Sequence, residues 1–191
     1  MVVLFDAEVP VHYGFLWLSG EEDLPDLMDT RAGQRNGLCG AAVPGTLSMV
    51  TGLHTGRVPF VVEWHDEEPR VGDGWEEVVE VAYEPSTPNL VLSSFQDSFE
   101  VRLPKATGLR ARYCATGMDA ANDADTVLED EPTLDRYLLV LWPATERPET
   151  VVRQTSGYAA YWHGEAQTGP DGWTEPDIDA YFKDRTGPRE P

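Results

Sequence analysis

Hydrophobic side chains recur at every second residue of this chain, in runs too short to be anything but strands. In Ser98 to Leu103, Phe99, Val101 and Leu103 alternate with Ser98, Glu100 and Arg102. Arg57 to His65 sets Phe60, Val62 and Trp64 on one face; Trp75 to Tyr83 sets Val79, Val81 and Tyr83 inward and Glu76 and Glu80 outward. A period of two sends successive side chains to opposite faces of a pleated strand. Val11, Tyr13, Phe15 and Trp17 read as one more strand, as do Thr46 to Thr51, Leu90 to Ser94 and Leu109 to Ala115. Arg136 to Trp142, the most apolar run, reads as a central strand, and Val151 to Thr155 as an edge strand. Asn36-Gly37, Gly72-Asp73-Gly74 and Pro85 to Asn89 supply the turns between them. No segment sustains a 3.6 period. The pattern predicts an all-β fold, an antiparallel β-sandwich with minor helix.

Two stretches interrupt the strand series. Gly20 to Gly37 is polar and acidic, with Leu24, Leu27 and Met28 enough for one helical turn. Asp119 to Asp135 reads as an acidic loop, long enough to serve a function. Near the C-terminus, Tyr158, Tyr161 and Trp162 can pack back on the domain, whereas the composition beyond Gly164 turns to Gly, Pro and acids. The expected organisation is a β domain over 1–163 and a loosely packed tail over 164–191, with a short helix at Pro176 to Asp184.

Charge narrows the partners. Fourteen Lys and Arg face 34 Asp and Glu, a formal net charge of -20. Such a field repels nucleic acid and anionic lipid and steers basic proteins toward the chain. Direct nucleic-acid binding is therefore not expected, because neutralising phosphates needs clustered cations. The same charge also serves solubility. No run approaches the ~20 apolar residues of a membrane span. The opening Met1-Val-Val-Leu-Phe5 has no basic flank and breaks at Asp6, so a cytoplasmic location is the expectation.

Catalytic chemistry finds little to stand on. Cys39 is followed by Gly40-Ala-Ala-Val-Pro44-Gly45, which forbids the helix that would lower a nucleophilic thiol's pKa, so it reads as a small buried residue. Cys114 is the second cysteine, and whether the two are bonded is open at this level. His12, His54, His65 and His163 lack paired metal-ligand spacing. Asp119, Asn122, Asp123 and Asp125 are rich in oxygen ligands but fail the EF-hand pattern, with no Gly at the sixth position and Asp130 at the twelfth. Trp64, Trp75, Trp142 and Trp162 could form a carbohydrate platform, although three of them sit in or beside apolar runs where a core role fits. No phosphate-binding loop, dinucleotide fingerprint or nucleophile elbow is present. The chain is expected not to be an enzyme and to need no cofactor.

One resemblance links these segments. Val11-His12-Tyr13-Gly14-Phe15, Asn36-Gly37-Leu38, Pro59 to Glu63 and Trp75 to Tyr83 resemble segments of the ComJ-like family, competence-associated inhibitors of a DNA-entry nuclease. So do Leu103-Pro104-Lys105 leading into Leu109 to Tyr113, and Asp135 to Leu139. The resemblance covers about residues 9–142, and its most specific piece is the Leu-Pro-Lys turn before the Arg/Tyr strand. It implies a small β protein that holds a partner nuclease inactive by binding it. The longer Asp119 to Asp135 loop and the region from Pro143 onward depart from the family, which leaves the partner's identity open.

The expected role is thus an acidic, non-catalytic binding protein, a nuclease inhibitor or immunity-type protein that masks a basic protein surface. A calcium- or carbohydrate-binding module is the alternative. Candidate partner contacts are the loop carboxylates Glu21, Glu22, Asp23, Asp66, Glu67, Glu68, Asp119, Asp123 and Asp125.

Overall fold

The computed structural model describes residues 1–21, 23–95 and 97–168. Eleven strands are present: β1 (Val2–His12), β2 (Phe15–Ser19), β3 (Cys39–Gly40), β4 (Thr46–Val50), β5 (Thr55–Trp64), β6 (Glu77–Tyr83), β7 (Asn89–Ser93), β8 (Ser98–Arg102), β9 (Leu109–Thr116), β10 (Arg136–Pro143) and β11 (Thr150–Arg153). Two α-helices, α1 (Met118–Ala124) and α2 (Gly157–Thr168), and a single 3-10 turn at Asp29–Arg31 complete the described elements. A six-stranded sheet has the order β1-β5-β10-β9-β6-β11, and a five-stranded sheet the order β3-β4-β2-β7-β8.

The expectation of a mostly β chain holds, with one correction. The larger sheet is mixed, because β10 pairs parallel with β5, while its remaining pairs are antiparallel. A parallel neighbour requires a crossover rather than a hairpin, and here about seventy residues separate the two strands. β10 does lie centrally, and β11 does form an edge.

Alternation sets what each strand buries. Leu16, Leu18, Leu47, Met49, Leu90 and Leu92 of the smaller sheet share one apolar cluster with Phe60, Val62, Val81, Tyr113, Leu139 and Leu141 of the larger. Fully burying each such side chain stabilises the fold by about 1.5–3 kcal/mol. Tyr113 and Tyr137 stack with ring centroids 5.7 Å apart. The Tyr113 hydroxyl donates to the Val50 carbonyl at 2.8 Å, joining β9 to the end of β4. Without that acceptor a buried hydroxyl would be left unpaired.

Four segments differ from their sequence reading. The run Val11 to Trp17 is two strands, not one, because Tyr13 (φ 64) and Gly14 (φ 73) both take left-handed backbone and turn the chain. β1 reaches back to Val2, through Asp6 and Glu8 on an edge strand where charged side chains remain solvated. The start of the expected acidic loop is helical: α1 buries Met118 and Ala121 and leaves Asp119 and Asp123 outside. Finally, α2 runs across position 164 to Thr168, burying Tyr158 and Trp162. Residues 169–191, including the expected helix at 176–184, lie outside the described residues, as does Glu22.

The acidic-looking stretch after β2 folds over β4 and carries a buried cation. Arg31, 1% exposed, donates to the carbonyls of Gly37 (2.7 Å) and Leu27 (2.8 Å) and to the hydroxyls of Ser48 (2.6 Å) and Thr30 (3.0 Å). All these acceptors are neutral, so burial lowers its pKa to about 10. α2 closes over the same loop. A Cβ at Gly37 would lie 1.9 Å from the Trp162 carbonyl oxygen, so only glycine permits that approach.

Candidate partner-binding surface

The eight described candidate carboxylates fall at separate places. Glu21 and Asp23 are exposed beyond the Ser19 end of β2, where the Glu21 N–H donates to the Ser19 hydroxyl at 3.0 Å. Asp66, Glu67 and Glu68 are exposed just past the Trp64 end of β5. Asp119, Asp123 and Asp125 belong to α1 and its C-cap, beside the opposite, Thr55 end of β5. Ten strand residues at roughly 3.3 Å each separate the two β5 groups by about 30 Å.

Their surroundings differ as much as their positions. Glu68 pairs with Arg112 (3.6 Å) and Arg147 (3.1 Å), and Asp66 accepts from the Trp64 indole at 3.4 Å. Asp119 works inside the fold: its two oxygens accept the N–H groups of Gly157 (3.0 Å) and Tyr158 (2.8 Å), the first residues of α2. A carboxylate there satisfies donors that a helix cannot pair internally and complements the helix dipole. Asp123 is exposed on α1, and Asp125 takes a left-handed backbone (φ 62) so that its carbonyl accepts from His54 (3.1 Å) and Thr55 (3.0 Å).

The Thr55 end also gathers aromatic surface that the sequence reading did not single out. The Tyr13-Gly14 turn and the His54–Thr55 loop converge there with Phe95 and Asp97. Tyr13 and Phe95 are 40% and 60% exposed, with ring centroids 5.3 Å apart. His12 lies 4.3 Å from Tyr13 and 5.2 Å from Phe95. The Thr55 hydroxyl bonds the Nδ1 atoms of both His12 (3.2 Å) and His54 (2.8 Å), which fixes the two rings. His12, Tyr13 and Phe95, with Phe15 and Trp17, line a cleft of about 430 Å³. A second cleft of about 450 Å³ shares His12 and is flanked by Asp97, Leu128 and Glu129. The signal that could have found this site was Tyr13 itself, a bulky residue before Gly14 in a turn.

Beneath this end a buried pair holds the loop. Asp135 accepts from the Leu53 N–H at 3.0 Å and from the Tyr137 hydroxyl, which in turn accepts the Gly52 N–H at 2.6 Å. Burial raises the Asp135 carboxyl above its ordinary 3.8 against those hydrogen bonds.

The remaining chemistry is structural. Cys39 and Cys114 are free, buried thiols, each pushed up to about 12 by desolvation, far from a reactive thiolate. Trp64, Trp142 and Trp162 are buried and Trp75 half-buried. Among the described residues no three His, Cys, Asp or Glu side chains are grouped to hold a metal ion. His163, expected only as a scattered histidine, accepts the Gly37 N–H at Nδ1 (2.9 Å) and anchors α2.

No protein-family model and no curated protein matches the sequence. Two solved structures align with this chain. A protein described as crocagin biosynthetic gene J aligns at a TM-score of 0.44 and 11% identity, over 73% of this chain and 96% of its own. ComJ from Bacillus subtilis, an inhibitor of the DNA degrading activity of NucA, aligns at a TM-score of 0.54 and 14% identity, over 75% of this chain and 98% of its own. The resemblance found in the sequence is therefore present in three dimensions, and this chain shares the fold of ComJ.

Proposed function

We propose that this protein is a non-catalytic binding protein of nuclease-inhibitor or immunity type, which masks a basic surface on its partner. The observation that carries the reading is the fold shared with ComJ across nearly the whole of that inhibitor. The net charge of -20 supports it independently, since a nuclease site built to attract polyanions also attracts an acidic protein. In this reading the two sheets pack as the layers of a β-sandwich whose loops present the carboxylates. Asp123 and Asp125 are the foremost contacts, since Asp119 and Glu68 are already engaged within the fold.

The test is inhibition. Purified protein is titrated into DNA-degradation assays with NucA and with a panel of basic nucleases, at low and at moderate salt. Dose-dependent inhibition of at least one, weakening as salt rises, is the expected result. Folded protein that inhibits none of them at either salt concentration overturns the reading. A carbohydrate-binding role is favoured by one observation, the aromatic cleft at Tyr13 and Phe95. Thermal stabilisation by an oligosaccharide would identify it, because a ligand specific to the native state raises Tm.

A further inference from the structure

We infer that the end of the molecule bearing Tyr13, Phe95 and Leu128 is the docking surface, and that its aromatic cleft receives an arginine-bearing segment of a basic protein. The inference rests on the binding-protein reading and adds where the contact is made and with what chemistry.

Exposure is the first ground. Phe95 is 60% and Leu128 66% exposed; Phe95 lines one cleft with Tyr13 and His12, and Leu128 lines a second that shares His12. Aromatic and aliphatic side chains grouped on a polar protein mark sites that a partner covers.

The backbone supplies the second ground. Two successive left-handed residues are what Asn-Gly ordinarily provides, because a bulky L-residue is strained there. Tyr13 takes that conformation at φ 64, followed by Gly14 at φ 73. The turn would close more easily with asparagine, so the tyrosine ring is not there for the turn. Asp125, at φ 62, is the other non-glycine residue with left-handed backbone among those described, and it braces the neighbouring His54–Thr55 loop. Strain concentrated at one end of a molecule points to a functional surface.

Charge selects the occupant. Rings stand on one side of His12; on the other, the carboxylates of Asp97 and Glu129 outnumber Arg57, whose charge is offset by Glu8 at 3.8 Å, and the combination suits a planar cation that stacks and donates hydrogen bonds together. Arginine meets both demands, and the field of a -20 chain steers a basic segment toward it.

The probe is a decapeptide of arginine and glycine with one central leucine, compared with its glutamate counterpart and followed by amide NMR shifts on the full chain. Expected are shifts concentrated at Tyr13, His54, Phe95, Asp97 and Leu128 with the arginine peptide, and none with the glutamate peptide. Tyr13→Asn and Phe95→Ala should each weaken binding by at least about tenfold, as loss of a hot-spot ring does. Both variants should keep cooperative unfolding and the dispersed amide spectrum of the folded chain, which guards against mistaking unfolding for lost contact. Shifts centred on Asp66 to Glu68, or unchanged affinity in both variants, would each overturn the inference. So would an oligosaccharide that moves these amides when the arginine peptide does not. Peptide docking here without inhibition of any nuclease removes the nuclease reading and leaves the surface. Inhibition with shifts elsewhere does the reverse.

Discussion

The two ends of β5 carry comparable acidity in different company. Beyond Trp64, carboxylates are woven into a cationic network. Arg112 pairs with Glu80 at 2.8 Å and Glu68 at 3.6 Å, donates to the Pro69 carbonyl at 2.8 Å, and lies 4.9 Å over the Trp142 ring. Arg110 shares Glu80 at 3.2 Å. At the Thr55 end, by contrast, Arg57 pairs with Glu8 at 3.8 Å, no ion pair among the described residues involves Asp97, Asp123, Asp125 or Glu129, and the exposed rings of Tyr13 and Phe95 lie close by. One end spends its charge on holding strands together; the other presents it to solvent. The density of acids in the sequence does not separate these cases, but the position of the arginines does.

The sharpest way to break the comparison is at the closed end. Glu80 is the only carboxylate that reaches both Arg110 and Arg112 among the described residues, and both guanidinium groups are about 3% exposed. Truncating it in Glu80→Ala leaves two buried cations without their shared partner, at an expected cost of about 3–5 kcal/mol. Urea unfolding measures this directly. Binding of the arginine peptide per folded molecule should not change, because the lost pair lies away from the aromatic cleft. A cost below about 1 kcal/mol would mean that solvent already screens the network, as at an ordinary surface.

A smaller effect separates two acids of the open end. Asp119→Ala removes the carboxylate that accepts the first N–H groups of α2, so stability should fall by about 1 kcal/mol, the usual loss for an N-terminal cap. Association with a basic partner should slow only slightly, by the loss of one charge from the long-range field. Asp123→Asn should leave stability unchanged, slow association to the same slight degree and speed dissociation. Neutralising Asp119, Asp123 and Asp125 together would confound the two roles, which is why they are separated.

How far the sequence could be read follows from the same contrast. Strands with one clean apolar face were legible: Phe60, Val62 and Trp64 are buried as their spacing requires, and Val79, Val81 and Tyr83 likewise. Glu80 was correctly placed on the outward face, yet it is buried, because β9 pairs beside β6 and brings Arg110 and Arg112 over it. Register between strands thirty residues apart is not a local signal. The Tyr13-Gly14 turn was hidden because tyrosine is a strand former, so local propensity extended one strand through it. α2 was hidden for a related reason: Tyr158, Tyr161 and Trp162 favour strands in isolation, and the helix is secured by distant groups, Asp119, Glu77 and Gly37. Acidity was legible as a total and not as a surface.

Acid titration sharpens the account of the open end. Desolvation raises the Asp135 carboxyl above its ordinary 3.8, although Tyr137 and the Leu53 N–H hold it down in part. A raised native pKa means that the folded state keeps a proton the unfolded state has released. Its stabilising share is therefore complete below 3.8 and is lost as pH rises through the native value. Asp135→Asn should flatten that part of the stability curve, measured by urea unfolding at a series of pH values from mildly acidic to neutral. An unaltered slope in the variant would show that Asp135 is solvated and does not brace the Gly52–Leu53 backbone as a buried group.

The smallest effects decide whether company rather than count defines the contact. Asp66→Asn with Glu67→Gln, and Asp123→Asn with Asp125→Asn, each remove two charges from one end. Neither pair should change stability by more than about 0.5 kcal/mol, the range of ordinary surface substitutions. Asparagine matches aspartate in size and shape, so it should take the backbone conformation that Asp125 already adopts (φ 62, ψ -56) at no added cost. Long-range steering depends on total charge, so both variants should slow association slightly and to a similar degree at low salt. Short-range contact is different: only the Asp123 and Asp125 variant should also dissociate faster, because of the four only those acids lie at the Thr55 end of β5. Stopped-flow association and dissociation rates with the arginine peptide separate the two terms. Equal dissociation rates in both variants would reduce the open end to general acidity and leave the rings alone to carry the site.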